Sequence, residues 1–102
     1  MNLKSNIALI GFMGCGKTTF GRKLSKTLGM KFVDIDSEIE RAQEASISDL
    51  FAHYGEDYFR TLETEFCKHA AFQHSVISTG GGIVCNPQNM SYLAKISQIF
   101  FL

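Results

Sequence analysis

The chain lacks any apolar run near the ~20 residues a transmembrane helix needs, so no helical membrane span is expected and a cytoplasmic location is. It holds a single proline, Pro87, and no repeat or low-complexity tract. Nothing therefore marks a linker, and the 102 residues are expected to form one domain. The cysteines, Cys15, Cys67 and Cys85, are odd in number and too widely spaced for a zinc knuckle or a redox pair, which implies reduced thiols. Net charge is also missing, since ten basic residues balance ten acidic ones, and no broad nucleic-acid or membrane face is expected. His53, His69 and His74 lack metal-ligand spacing. At 45% hydrophobic and 20% charged residues, what remains is the composition of an ordinary soluble globular protein.

Against this background Gly11-Phe12-Met13-Gly14-Cys15-Gly16-Lys17-Thr18 stands out, because it has the phosphate-binding spacing of Gly, any four residues, then Gly-Lys-Thr. The glycines let successive backbone N–H groups face one concavity, and a following helix turns its positive end to the same place. Lys17 is expected to reach the β- and γ-phosphates of a nucleoside triphosphate, with the Thr18 hydroxyl as one oxygen ligand of Mg²⁺. The flanks agree with this reading. Ile7 to Ile10 is a short branched run suited to a buried parallel strand; Phe20, Leu24 and Leu28 recur at helical spacing, and Gly29 stands where a C-cap glycine belongs. A weaker reading takes Lys4, the apolar Ile7 to Met13, and Gly14 before Cys15 as a lipoprotein export signal. That apolar core is short, contains Gly11 and runs into a Gly-Lys-Thr-Thr that the phosphate loop explains better. Cys15, inside an electropositive loop, is either a reactive thiol or simply a small residue that fits there.

Strands and helices alternate along the chain. The expected strands are Ile7 to Gly11, Lys31 to Ile35, Ser75 to Ser78 and Ile96 to Leu102; the expected helices include Lys17 to Leu28, Asp36 to Glu44, Ile47 to His53 and Asp57 to Phe72. In the last of these helices Phe59, Leu62, Phe66 and Ala70 share a face, with Arg60, Thr61, Glu63 and Lys68 placed largely elsewhere. Ser46 with Asp49, and Asp57 ahead of Phe59, read as helix starts. Such alternation implies an α/β fold with parallel strands, right-handed crossovers and the ligand at the strands' carboxyl ends. Ile99 to Leu102 reads as the middle of a buried strand with an exposed apolar edge. A truncated product is expected, or a short protein that buries this strand against itself or a partner.

Two further groups of residues carry chemistry. Asp34-Ile35-Asp36 closes the second strand, and strand alternation is expected to put both carboxylates on one face, beside the phosphate loop. One carboxylate can hold Mg²⁺ through water and the other can accept the proton of a substrate hydroxyl; the plainer reading is a solvated turn. Ser78-Thr79-Gly80-Gly81-Gly82 places three glycines where backbone must approach a bound substrate, or else forms a flexible loop. Arg60 suits bidentate recognition of a carboxylate, the plainer reading being a surface pair with Glu56 or Glu63.

Together, Gly11 to Thr19, Asp34-Ile35-Asp36, Phe59-Arg60 with Glu63, and Thr79 to Gly82 resemble shikimate kinase from about Ile7 to the last residue. The phosphate loop alone names only a superfamily; adenylate and gluconate kinases share it without the rest of the combination. The resemblance implies a parallel-sheet P-loop kinase fold with helices on both faces, incomplete at the C-terminus. It implies transfer of the ATP γ-phosphoryl group to the 3-hydroxyl of shikimate on the route to chorismate. By position, the resemblance implies that Gly14, Cys15, Gly16, Lys17, Thr18 and Thr19 bind the triphosphate, that Thr18 and Asp34 serve Mg²⁺, and that Asp36 holds the hydroxyl, either as its base or only as its positioner. Arg60 pairs with the shikimate carboxylate, Gly80, Gly81 and Gly82 approach the substrate, and Phe51 with Phe59 walls the ring. Lys17 steadies charge on the transferred group.

Family members continue past residue 102 with an arginine-bearing lid, a further strand and an adenine-contacting loop, so weakened closure is expected of this chain. The full-length family implies a monomer with ATP and shikimate as partners and neither nucleic acid nor membrane. The alternatives are a gluconate-type kinase and a nucleotide-binding module without catalysis.

Overall fold

The computed structural model describes residues 5–11, 17–80, 82–83 and 86–101, with only the backbone described for Lys17 and Thr18. Four strands form one parallel sheet in the order β2-β3-β1-β4: β1 is Asn6–Ile10, β2 Lys31–Asp34, β3 Ser75–Ser78 and β4 Ser97–Phe101. The two central strands are the buried ones, with Ala8, Leu9, Ile10, Val76 and Ile77 at most 1% exposed. This is why those segments read as unbroken apolar runs rather than alternating ones. The α/β reading of the sequence therefore holds.

The helices are α1, Lys17–Leu28; α2, Ile35–Gln43; α3, Ile47–Tyr54; α4, Glu56–Lys68; and α5, Pro87–Ile96. Gly29, at φ 69°, ends α1 in the left-handed conformation that glycine adopts without steric cost. Ser46 caps α3 by accepting from the Asp49 N–H at 3.1 Å, as its spacing predicts. Asn86 caps α5 through Gln88 N–H at 2.9 Å, with Pro87 in the first turn, where its missing donor costs nothing. α1 packs on β1, β2 and β3, while α2 and α3 pack on α4.

Four expectations need correction. The second strand stops at Asp34, and Ile35 and Asp36 are the first turn of α2; Ile35 is fully buried there, and the acidic first turn complements the helix dipole. α4 ends at Lys68, short of Phe72, because the chain turns back so that Phe72 packs against Phe66 with ring centroids 5.7 Å apart. The buried face of α4 is Phe59, Glu63 and Cys67, which places Glu63 inward at 1% exposure and not on the solvent side. On α1 the close approach to the sheet is made at Gly21 and Ser25, whereas Phe20 and Leu28 are about half exposed. A Cβ on Gly21 would lie 2.8 Å from the Phe32 ring, so only glycine lets helix and strand meet this closely. Phe20 and Leu24 instead line a groove of about 340 Å³ with Ile7, Leu9, Phe100 and Phe101, beside the exposed edge of β4.

One buried polar side chain ties the amino ends of the strands together. Asn6 donates to the carbonyls of Phe72, at 2.8 Å, and Ile96, at 3.0 Å, and accepts from Ser75 N–H at 2.9 Å. It thereby fixes the chain before β3 and the end of α5 against the start of β1.

Candidate active site

The carboxyl ends of β1, β2 and β3 gather the candidate residues. The Thr79 hydroxyl donates to the Leu9 carbonyl at 2.9 Å, pinning the start of the glycine loop beside the end of β1. From there the loop runs to Ile83, which is fully buried; its N–H donates to Gly80 O at 3.2 Å, and its carbonyl accepts from Asn89 Nδ2 at 3.1 Å. The loop is thus framed by a strand on one side and α5 on the other.

Asp36 and Arg60 reach this loop from different helices. A Cβ on Gly80 would lie 2.7 and 2.8 Å from the two Asp36 carboxylate oxygens, and one on Gly82 would overlap the Arg60 guanidinium. The loop backbone and these two side chains approach so closely that no larger residue fits without moving them. Phe59, 3% exposed, and Phe51, 39% exposed, meet edge to face with ring centroids 5.2 Å apart.

Glu63 aims the guanidinium. Its Oε1 accepts from Arg60 Nη1 at 2.8 Å, while Glu56 Oε2 accepts from Nε at 3.3 Å and Nη2 at 3.2 Å. Both surface pairs that the sequence offered as alternatives are therefore made, and one is not at the surface. Among the described residues, the buried Oε2 of Glu63 and Oδ1 of Asp36 have no hydrogen-bond partner. Burial, followed by the charges of Glu63, Asp34 and Glu40, pushes the Asp36 carboxyl from 3.8 up to about 6, with Arg60 only partly opposing. Burial likewise raises Glu63 above the usual carboxylate range, although the hydrogen bond and charge of Arg60 pull the other way. Burial and Glu63 push the neighbouring Cys67 thiol up to about 12, which keeps it protonated and unreactive.

Asp34 sits at the last position of β2, partly exposed, and accepts a hydrogen bond from the Ser37 hydroxyl at 3.2 Å. The two acids are not placed by strand alternation, since one ends a strand and the other lies in the first turn of a helix. Lys17 and Thr18 open α1, and Thr19 follows them as an exposed residue. Gly14, Cys15, Gly16 and Gly81 lie outside the described residues. Sequence spacing could have found the inward Glu63, since Phe59, Glu63 and Cys67 recur at intervals of four and put a charged residue on the buried stripe.

Residues 13–102 match the shikimate kinase family profile. The chain belongs to the shikimate kinase family. Among its relatives, the shikimate kinase of Macrococcus caseolyticus is 52% identical over 87 residues, which make up 85% of this chain and 52% of that protein. That of Dictyoglomus turgidum is 39% identical over 102 residues, 98% of this chain and 59% of the other. The chain thus spans about half the length of the curated relatives it matches. In three dimensions it is similar to a shikimate kinase from Acinetobacter baumannii solved in complex with shikimate, with a TM-score of 0.90 and 41% identity, covering 95% of this chain and 55% of that one. The shikimate kinase of Aquifex aeolicus superposes with a TM-score of 0.87 at 39% identity, over 95% and 58% of the two chains.

Proposed function

We propose that this chain carries the acceptor site and phosphate loop of an enzyme that transfers the γ-phosphoryl group of ATP to the 3-hydroxyl of shikimate, in the cytoplasm. The observation that carries the proposal is the convergence of Asp36, Arg60, Gly80 and Gly82, with an acceptor oxygen on Asp36 that has no donor among the described residues. A buried carboxylate oxygen without a donor is costly, and a substrate hydroxyl supplies the donor. Arg60, held by Glu56 and Glu63, then pairs with the shikimate carboxylate, while Phe51 and Phe59 cover the ring.

As the 3-hydroxyl oxygen bonds to the γ-phosphorus, its proton passes to the Asp36 carboxylate, the bond from phosphorus to the β–γ bridging oxygen breaks, and ADP leaves. A carboxylate titrating at about 6 is matched to that role near neutral pH. Lys17 and the loop N–H groups hold the triphosphate, so positioning and charge neutralisation supply most of the rate. For Mg²⁺ the donor set is suitable: Asp34 is a partly exposed carboxylate engaged by one hydroxyl, and with Thr18 it would hold a hard cation through oxygen and water. Bound Mg²⁺ neutralises charge on the triphosphate.

The test is shikimate-dependent ADP release from Mg-ATP by this chain, with gluconate and a nucleoside monophosphate as rival acceptors. Selective turnover with shikimate is expected, and Lys17→Ala should lower it by orders of magnitude. Preference for another acceptor would overturn the substrate assignment.

A further inference from the structure

Charge is balanced over the chain but not along it. All ten acidic residues fall between Asp34 and Glu65, where Arg41 and Arg60 are the only bases, so that stretch carries a formal −8. The remaining residues hold eight bases and no acid, a formal +8. In the fold, the acidic stretch is the end of β2 with α2, α3 and most of α4.

Among the described residues, every ion pair takes its acid from this region and all but one its base: Arg41 with Glu38, Arg60 with Glu56 and Glu63, and His69, just beyond it, with Glu65. By contrast Arg22, Lys23 and Lys26 on α1 and Lys31 at the start of β2 are exposed, and none of them is in an ion pair. Arg22 is further held over the Phe32 ring at 4.7 Å from its centroid, which keeps its charge on this face.

We infer that the cationic face of α1 captures the polyphosphate of the nucleotide by long-range attraction, while the acidic region of α2 to α4 turns that anion away from the acceptor site. The inference rests on the proposed nucleotide site at the start of α1. With a rise of 1.5 Å per residue, Arg22 and Lys26 lie about 8 and 14 Å along the helix from Lys17. Such separations are within the screening length of about 30 Å at 0.01 M salt and beyond the few ångströms left near 1 M. The face therefore acts on the rate of encounter and not on the bound complex. Both substrates are anions, and charge sorts them. Arg60, already balanced by Glu56 and Glu63, offers paired hydrogen bonds to a single carboxylate but little attraction to a polyphosphate.

The test is stopped-flow mixing of the chain with a fluorescent ADP analogue at about 10 mM and about 0.5 M salt. The variant Lys23→Glu with Lys26→Glu is compared with Lys68→Glu with Lys95→Glu, which changes net charge equally away from α1. Association at low salt should slow about fivefold to tenfold in the first variant and less than twofold in the second. The difference should vanish at high salt with dissociation unchanged. Lys23→Gln with Lys26→Gln, milder to the helix, should slow association about twofold to threefold. Equal slowing in both double variants would overturn the local face in favour of net charge; unchanged association, or an effect confined to dissociation, would overturn steering. No binding by the parent chain at any salt would overturn the nucleotide site and this inference with it.

Discussion

At the scale of single residues, folding places the Asp36 carboxyl where burial and neighbouring acids oppose its ionisation. Its folded carboxyl titrates at about 6 against an ordinary 3.8, so the folded state binds the proton more tightly than the unfolded chain. The stability this contributes is fully present below pH 3.8 and lost as pH rises through about 6. Asp36→Asn should therefore melt higher than the parent at pH 8, by about 1 kcal/mol after discounting for solvent screening. The difference should close toward pH 4 in thermal scans, with turnover abolished. On the proposed function, kcat/KM of the parent chain for the acceptor should rise with pH through about 6. For Glu63, removing the charge while keeping the shape isolates its hold on Arg60. Glu63→Gln should raise KM for shikimate about tenfold, with a smaller change in kcat and none in ADP affinity. An unchanged KM would show that Glu56 alone suffices to orient the guanidinium.

At the scale of elements, the glycine loop and the two helices opposite it form one device. The nearest neighbours of a new Cβ at Gly82 are the far end of the flexible Arg60 side chain, not backbone. Gly82→Ala should thus displace the guanidinium rather than unfold the loop, raising acceptor KM about tenfold with little change in melting temperature. A large fall in melting temperature would show instead that the loop cannot yield. The boundary between β2 and α2 carries a related lesson. Asp34-Ile35-Asp36 was legible as an acidic pair, but alternation along a strand is not how it works. Ile35 enters the core and the chain turns into a helix there, so Asp34 and Asp36 leave different elements. Local pattern cannot show which of two buried positions ends a strand, because branched residues suit either.

At the scale of the whole molecule, the sheet is held in register at its amino end by Asn6 and opens its carboxyl end to ligands. Asn6→Ala would leave the Phe72 and Ile96 carbonyls and the Ser75 N–H without their partner. A loss of about 2 to 3 kcal/mol is expected in urea unfolding. A cost below 1 kcal/mol would mean that water replaces the side chain. The zero net charge is likewise the sum of two opposed parts of the chain, −8 from Asp34 to Glu65 and +8 elsewhere.

What the sequence determined by itself is the Gly-Lys-Thr spacing after the first strand, the order of strands and helices, and the parallel α/β class. These are encoded by short spacings and buried apolar runs, and they need no partner to be read. Only the tertiary structure decided that Glu63 is buried beneath Arg60, that Gly80 and Gly82 are required by side chains arriving from α2 and α4, and that α1 packs through Gly21 and Ser25. Each of these depends on contacts between residues distant in the chain. Burial, hydrogen bonding and shifted acidity arise only when folding brings such residues together.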